Sequence, residues 1–293
     1  MKITKINFAM LIICFIHYSA LSVAGGDNHA LSARSTALGG AGVTLLDLWA
    51  VHYNQAGLAG IEAITAGVYY ENRFALKELS VKGAALALPL PGKGQNVLGV
   101  SMSYFGYSEY NDSKVGLAYG KKLGDKYSVG IQLNYLQTKI GRDYGSYGAF
   151  AAEAGLRAEL IDNLSMGVHI YNPTRTSILE YDIQEETKTE RIPTIMRFGL
   201  SYSFSDKVMV VAETEKDIYF DHIFKAGIEY RPIKILYIRG GIASDPLYNT
   251  FGFGIEQSSF ILDFAASKHQ VLGYTTQISL AYKFNKKKTK FEE

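Results

Sequence analysis

Cysteine is nearly absent from this chain of 293 residues, whose single cysteine is Cys14. Cys14 lies in an apolar run, Phe8–Ile16, that follows two lysines and precedes the small residues Ser22–Ala24. This order of basic, apolar and small residues is typical of a secretory signal peptide, and we expect cleavage after Ala24. The mature chain would then contain no disulfide, no thiolate chemistry and no cysteine-bound metal.

Long apolar segments are missing as well. Nowhere after residue 24 does an uncharged apolar run reach the length of about 18 residues that a membrane-spanning helix requires. The run Phe8–Ile16 is also too short to span a membrane as a helix. An exported chain with 21 tyrosines and no such helix is therefore either a secreted β-protein or an outer-membrane barrel.

The chain also lacks an excess of either charge. It has 30 basic and 28 acidic residues, and loss of Lys2 and Lys5 with the signal peptide leaves 28 of each. A formally neutral chain offers no electrostatic attraction for nucleic acid. We therefore expect no nucleic-acid partner.

Catalytic motifs are absent from the sequence, which contains no nucleophile elbow, P-loop or dinucleotide fingerprint. His52, His169 and His269 are isolated and lack the spacing of metal ligands. The adjacent Asp221 and His222 could in principle activate water in an outer-membrane hydrolase, but no supporting carboxylates can be assigned to them. We favour a surface pair without chemistry, and predict no enzyme, no catalytic residue, no metal and no cofactor.

Apolar residues alternate with small or polar residues along most of the chain. Apolar residues occupy every second position from Tyr127 to Tyr135, and again, after Thr194, from Met196 to Phe204. Runs of about ten residues with one apolar face are typical of strands that face lipid on one side and a lumen on the other. The sequence therefore predicts an all-β fold, a transmembrane antiparallel β-barrel of about fourteen strands, at 62–71, 79–90, 97–107, 113–121, 127–138, 149–160, 164–171, 194–204, 207–215, 222–231, 234–242, 249–257, 259–268 and 276–284. A count of twelve stays open, because the pattern is weakest at 207–215.

The connections between these strands alternate in length. They are short after every even-numbered strand and mostly longer after the odd-numbered ones, with the charged segment Asn172–Pro193 the longest. Bacterial barrels alternate short periplasmic turns with longer external loops. We therefore expect an outer-membrane protein of a Gram-negative bacterium, surrounded by lipid, with both termini periplasmic. Its parts would be a signal peptide (1–24), a plug (25–61), the barrel (62–284) and a charged periplasmic tail (285–293).

Charged residues fall on the inward face of several predicted strands. Mixed charges in a lumen are costly unless they are paired or hydrated. We expect them to form salt bridges that hold the plug, and a selective ion path is the less favoured hypothesis. The residues expected to face the lumen are Glu153, Arg157, Glu159, Arg197, Lys225, Glu229, Arg239, Glu256 and Asp263.

The segment Leu31–Gly60 has neither strand nor helix periodicity, and it precedes the first predicted strand. It holds the single tryptophan, Trp49, and its small residues and glycines permit close approach to neighbouring chain. Such a segment cannot build a core alone. We predict a plug inside the barrel, and the alternative is an irregular arm outside it.

Three stretches of this segment resemble the N-terminal signature of PorV/PorQ-type outer-membrane proteins: Ala33–Ser35, Leu38–Val43 and Asn54–Ala59. A later stretch, Ile192–Tyr202, is similar to a mid-barrel region of the same family. These proteins belong to the FadL-like superfamily of fourteen-stranded barrels with an N-terminal hatch. The resemblance implies that the plug motif consists of Arg34, Gly39, Gly40, Gly42, Asp47, Trp49, Asn54, Gln55 and Ala56.

The resemblance implies two alternative functions. PorV/PorQ-type proteins act in type IX secretion and surface attachment, which would make exported proteins or secretion components the partners. FadL-like relatives are channels for small hydrophobic molecules, but their hatch has Asn-Pro-Ala where this chain has Asn54, Gln55 and Ala56. We favour the accessory role and keep the channel as the alternative. An apolar pocket with a gap in the wall would favour the channel, whereas a packed, salt-bridged lumen would favour the accessory role.

Overall fold

A computed structural model of the protein describes residues 31–284, apart from 93–94, 142–144 and 184–185. The side chains of 179–190 are also outside the described part. The predicted signal peptide (1–24) and the predicted tail (285–293) lie outside the described residues.

Strands make up most of the described chain. In chain order they are β1 (Thr65–Asn72), β2 (Ser80–Leu90), β3 (Asn96–Gly106), β4 (Tyr110–Leu123), β5 (Tyr127–Ile140), β6 (Ser146–Ile161), β7 (Leu164–Tyr171), β8 (Ser177–Ile183), β9 (Glu186–Arg191), β10 (Ile195–Ser205), β11 (Val208–Asp217), β12 (His222–Ile233), β13 (Leu236–Ser244), β14 (Leu247–Gln257), β15 (Phe260–His269) and β16 (Gly273–Lys283).

Fourteen of these strands, all except β8 and β9, form one closed antiparallel barrel in which β1 pairs with both β2 and β16. The predicted fourteen-stranded barrel is therefore confirmed. The run at 207–215, where the pattern was weakest, forms the regular strand β11 and pairs along its length with β10 and β12.

The barrel wall has an apolar outer face and a polar inner face. In β10, Phe198 is 44% exposed and Leu200 is 37% exposed, whereas the flanking Arg197 and Ser201 are buried. Exposed aromatic and aliphatic side chains continue around the barrel on the same face of the other strands. Closure leaves no strand edge unpaired, which is the condition for crossing a bilayer with strands.

The two ends of the barrel differ in the length of their connections. The short turns lie at one end, which also contains the start of β1 and the end of β16, and we call it the terminal end. The opposite end, which we call the loop end, contains the longer connections. Two short 3₁₀ turns, Arg73–Ala75 and Lys77–Leu79, lie there between β1 and β2.

The segment predicted as a long hydrophilic loop, 172–193, contains a β-hairpin, because β8 and β9 form a separate two-stranded sheet. Its many charged residues hide a strand pattern in the sequence. Ile178 and Ile192, at the base of the hairpin, are buried against Tyr171, Leu136 and the small inward residues of β6 at the loop end. The base of the hairpin thus closes one side of this end of the lumen.

The plug occupies the lumen between the two ends, as predicted. It contains a short helix, α1 (Ala33–Ala37), and two 3₁₀ helices, Leu48–His52 and Gln55–Gly60. Trp49, Leu58 and their neighbours pack against inward residues of the wall in the largest hydrophobic cluster of the described residues. Among the described residues, no helix is long and apolar enough to cross a membrane.

Candidate functional site: the plug and its two chambers

Each short helical turn of the plug begins with a polar residue that accepts a hydrogen bond from a backbone N–H two or three residues later. The Ser32 hydroxyl accepts from Ser35 (3.1 Å), the Asp47 carboxylate from Trp49 (3.0 Å) and the Asn54 amide oxygen from Ala56 (3.2 Å). These are typical N-cap interactions, which satisfy backbone donors that a short helix leaves free. Capping explains why a segment without periodicity takes a defined shape.

Asn54 and Gln55 connect the plug to the wall. The Asn54 amide donates to the backbone oxygens of Val43 (2.6 Å) and Leu156 (3.2 Å). The Gln55 amide donates to the Glu153 carboxylate at 2.7 Å, and both side chains are buried. Gln55 stands where the FadL-like pattern has proline. Its amide supplies a buried hydrogen bond that proline could not make.

Glu153 is the centre of a buried polar group on the inner wall. Besides Gln55, its carboxylate accepts from Asn134 (2.7 Å) and lies 3.0 Å from Nε2 of His169. Nδ1 of His169 lies 3.4 Å from the Arg197 guanidinium, which can only donate. His169 is therefore held as the neutral tautomer with its proton on Nε2.

A second group of charges holds the plug from the loop end. Glu215 pairs with Arg197 at 2.6 Å and with Lys225 at 2.8 Å, and Lys225 also lies 3.4 Å from Glu213. The Glu213 carboxylate accepts the backbone N–H groups of Gly42 (2.8 Å) and Val43 (2.9 Å) in the plug.

A third group holds the plug towards the terminal end. The Arg34 guanidinium of helix α1 lies 2.8 Å from Glu229 and 3.3 Å from Asp47. On the wall, Arg239 pairs with the same Glu229 and with Asp263, both at 2.6 Å. Glu229 therefore joins a cation of the plug to a cation of the wall.

The remaining predicted lumen charges lie near the terminal rim. Arg157 donates to the backbone oxygen of Thr44 at 2.9 Å and so contacts the plug, whereas Glu159 is exposed. Glu256 is half-buried and pairs with Lys283 at 2.6 Å. Among the described residues, neither carboxylate forms a hydrogen bond or ion pair with the plug.

The wall approaches the plug through inward-facing glycines. A Cβ atom on Gly227 would lie 2.6 Å from Cα of Leu38, which is closer than real side chains come. Added Cβ atoms on ten other strands would meet the plug in a similar way. The glycines with such contacts are Gly67, Gly83, Gly99, Gly120, Gly130, Gly155, Gly167, Gly199, Gly241 and Gly252. From the sequence, these positions were recognised only as small residues, although a glycine recurs on the inner face of most strands.

His52 belongs to the plug, outside the membrane-spanning strands, and it is completely buried. Neither ring nitrogen has a hydrogen-bond partner among the described residues, and the ring stacks on Trp49 with centroids 6.1 Å apart. Burial lowers the pKa of His52 to about 3, with a smaller lowering from the positive charge of Lys114. His52 is therefore neutral at physiological pH.

The described residues line two chambers in the lumen, one on each side of the plug. The terminal chamber, with a volume of about 370 Å³, is lined by Arg34, Trp49, Ile61 and wall residues that include Tyr237 and Ile261. The loop chamber, with a volume of about 300 Å³, is lined by Thr36, Gly40 and inward residues near the loop end. The two chambers have no lining residue in common, and helix α1 contributes one residue to each.

The Asp221–His222 pair lies outside both chambers. Both residues are exposed at the loop end, and His222 stacks on the outward-facing Phe224 with ring centroids 6.3 Å apart. Among the described residues, no group of three histidine, cysteine, aspartate or glutamate side chains is arranged to hold a metal. His269 accepts backbone N–H bonds in the β15–β16 turn.

No protein-family model and no curated protein matches the sequence. Among solved structures, the chain resembles the CymD monoaromatic hydrocarbon channel with a TM-score of 0.69 and 13% identity, covering 89% of this chain and 99% of that one. It resembles the toluene transporter TbuX of Ralstonia pickettii with a TM-score of 0.68 and 13% identity, covering 88% and 100%. A FadL homologue of Pseudomonas aeruginosa matches with a TM-score of 0.57 and 12% identity, covering 84% and 96%. At this identity the likeness establishes the fold, and the protein therefore has the fold of the FadL-like hydrocarbon channels.

Proposed function

We propose that this protein is an outer-membrane channel for small, largely hydrophobic molecules. The observation that supports this most directly is the division of the lumen into two chambers separated by part of the plug. A molecule could pass from one to the other if the segment between them moved. The shared fold with monoaromatic hydrocarbon channels supports the same class of solute. This proposal reverses our preference from the sequence, where the accessory role ranked first.

Helix α1 is the segment most suited to such a movement. Its apolar contact with the wall is a cluster of three alanines, Ala33, Ala37 and Ala265, so the Arg34–Glu229 ion pair is the main interaction that its movement would have to break. Alanines bury little apolar area, and each Å² contributes only about 25 cal/mol. The rest of the plug is held by larger residues such as Trp49 and Leu58. We infer that solute passage involves displacement of α1, whereas the remainder of the plug stays in place.

A second candidate, the type IX secretion accessory role, is favoured by a different observation. Every barrel strand is paired on both sides. The Arg34–Glu229 ion pair holds the plug towards the terminal end, and the Glu213 carboxylate accepts plug backbone N–H groups towards the loop end. A packed, salt-bridged lumen is the arrangement that we expected of an accessory protein. In that case, the partner would bind the loop end, where the β8–β9 hairpin and the connection around 139–148 lie.

An uptake assay separates the two candidates. The chain would be produced in the outer membrane of a Gram-negative host that lacks hydrocarbon channels, and entry of radiolabelled toluene into intact cells would be measured. A channel should raise the initial uptake several-fold over cells with the empty vector. Unchanged uptake, together with co-purification of secretion components from the detergent-solubilised outer membrane of the native organism, would support the accessory role instead.

A cysteine pair tests the movement of α1. The mature chain is expected to contain no cysteine, so that Ala37→Cys with Ala265→Cys would introduce a single pair, across the alanine contact. Oxidation should abolish toluene uptake and reduction should restore it, with the two single variants as controls. Full uptake through the oxidised, crosslinked protein would show that α1 is not on the path.

A further inference from the structure

The loop chamber is small and has a polar lining. Its volume of about 300 Å³ is at the lower limit of ordinary ligand pockets, which begin at about 300 Å³. Aromatic and apolar groups come from Phe74, Tyr248, Ile223 and Pro246. The other lining residues carry charges, amides, hydroxyls or, at His269, an imidazole, apart from Gly40. A single aromatic ring with small substituents fits this space better than a long acyl chain.

The charges of this lining are largely neutralised within the wall. Arg73 pairs with Glu71 at 2.5 Å, while Arg197 and Lys225 both pair with Glu215. A charged ligand would have to compete with these existing pairs. The chamber is therefore better suited to a neutral molecule.

Gln277 differs from these paired groups. Its side chain is 6% exposed and lines the chamber from β16, between Glu71 on β1 and Ala265 on β15. The amide oxygen has no hydrogen-bond partner among the described residues. A buried polar atom without a partner is costly, and a ligand that supplied one would remove that cost.

Phe74 lies at the chamber in an unusual backbone conformation. Phe74 and the following Ala75 have φ values of 55° and 59°, in the left-handed region that non-glycine residues rarely adopt. Such strain persists where the surrounding structure holds it, frequently at ligand sites. The Phe74 ring lies edge-on to His269 at 6.2 Å, and both line the chamber.

From these observations we infer that the loop chamber selects small neutral aromatic molecules that carry a hydroxyl group, with Phe74 contacting the ring and Gln277 bonding the hydroxyl. A hydroxyl both donates and accepts, so it fits either orientation of the Gln277 amide. This inference rests on the proposed channel function and narrows its substrate class from small, largely hydrophobic molecules to phenol-like compounds.

The test compares p-cresol with p-xylene, which differ by one hydroxyl in place of a methyl group. Binding to the purified full chain in lipid nanodiscs would be measured by equilibrium dialysis, with empty nanodiscs as background. We expect p-cresol to bind at least roughly five-fold more tightly than p-xylene, the gain of one net hydrogen bond. Gln277→Met should remove this preference, whereas Phe74→Ala should lower the binding affinity for both compounds by the same factor.

Gln137→Met is the matched control, because Gln137 is an exposed residue of β5 that does not line the chamber. It should leave both affinities unchanged. Resistance of each variant to SDS before heating would verify that the barrel is folded. Equal binding of the two compounds, or a preference that survives Gln277→Met, would overturn the inference and would indicate that water satisfies the amide. Binding of neither compound would overturn it too.

Uptake by intact cells keeps this inference separate from the proposed function. Faster entry of p-xylene and toluene than of p-cresol would refute the phenol selectivity and leave the channel standing. If none of the three compounds enters faster than in cells with the empty vector, the channel function itself fails.

Discussion

Leu38 of the plug lies directly against the backbone of Gly227 in β12, where a Cβ atom would stand 2.6 Å from the Leu38 Cα. No side chain fits at this wall position unless the plug moves away. The same relationship recurs on other strands, so the barrel interior is shaped to the plug. Plug and wall therefore depend on each other for their packing.

A methyl group at Gly227 should displace the plug. We expect Gly227→Ala to destabilise the protein by about 1–3 kcal/mol, the usual cost of overpacking. Gly240→Ala is the matched control, because a Cβ there would meet only the backbone oxygen of Thr250, at 3.9 Å. Urea unfolding in detergent, together with limited proteolysis of the plug, would measure both effects. Equal stability of the two variants would contradict the close packing of Leu38.

Loss of the Glu229 charge should be more damaging than loss of an exposed carboxylate. Glu229 is 7% exposed and pairs with both Arg34 and Arg239, so Glu229→Gln leaves two guanidinium groups without their shared anion. We expect a loss of about 3–5 kcal/mol. Glu159→Gln, at an exposed position near the terminal end, should change stability by less than about 0.5 kcal/mol. If Glu229→Gln and Glu159→Gln have comparable effects in the same unfolding assay, Glu229 does not stabilise the protein by bridging Arg34 and Arg239.

Two replacements of Gln55 distinguish the contribution of its side-chain amide to stability from that of its backbone conformation. Gln55 begins a 3₁₀ helix after the Asn54 cap, a position at which proline is well tolerated. Gln55→Pro and Gln55→Met should both cost about 1–3 kcal/mol, because each removes a donor from buried Glu153. If Gln55→Pro keeps the stability of the wild type while Gln55→Met is destabilised, the backbone conformation matters more for stability than the amide.

His52 should make stability depend on pH. Its pKa falls from 6.5 to about 3 because the folded plug buries it, so between these values only the unfolded state binds the proton. Its contribution to stability is complete above pH 6.5 and decreases as the pH falls. Between pH 6.5 and 5 the loss should reach about 2 kcal/mol. Relative to wild type, His52→Leu should lose less stability over this range, and parallel pH profiles would contradict the prediction.

The number and positions of the barrel strands could be predicted because the alternation of side chains is a local property. Each strand of a membrane barrel has an apolar outer face regardless of its neighbours. Alternate apolar residues such as Phe198 and Leu200 therefore identify the strand without knowledge of the fold. The β8–β9 hairpin was missed because it is not part of the barrel. Its sequence carries charges that the period-2 pattern of a membrane strand would not contain.

The partners inside the lumen could not be predicted in the same way. Gln55 and Glu153 are 98 positions apart, and Arg34 and Glu229 are 195 apart. Their contacts depend on the register of many strands and on the depth of the plug, neither of which a single side chain reports. All four residues were predicted from the sequence as plug or lumen residues, but which plug residue pairs with which carboxylate could not be predicted.

The sequence by itself determined that this chain forms a barrel, which residues form its apolar outer face and which segment does not form a strand of the wall. Those properties follow from the polarity and size of neighbouring residues. The tertiary structure alone decided that Gly227 receives Leu38, that Glu229 joins Arg34 to Arg239, and that Gln277 lines a separate chamber. Closure of the barrel around the plug creates these relationships, because it brings together side chains whose separation along the chain carries no information about their contact.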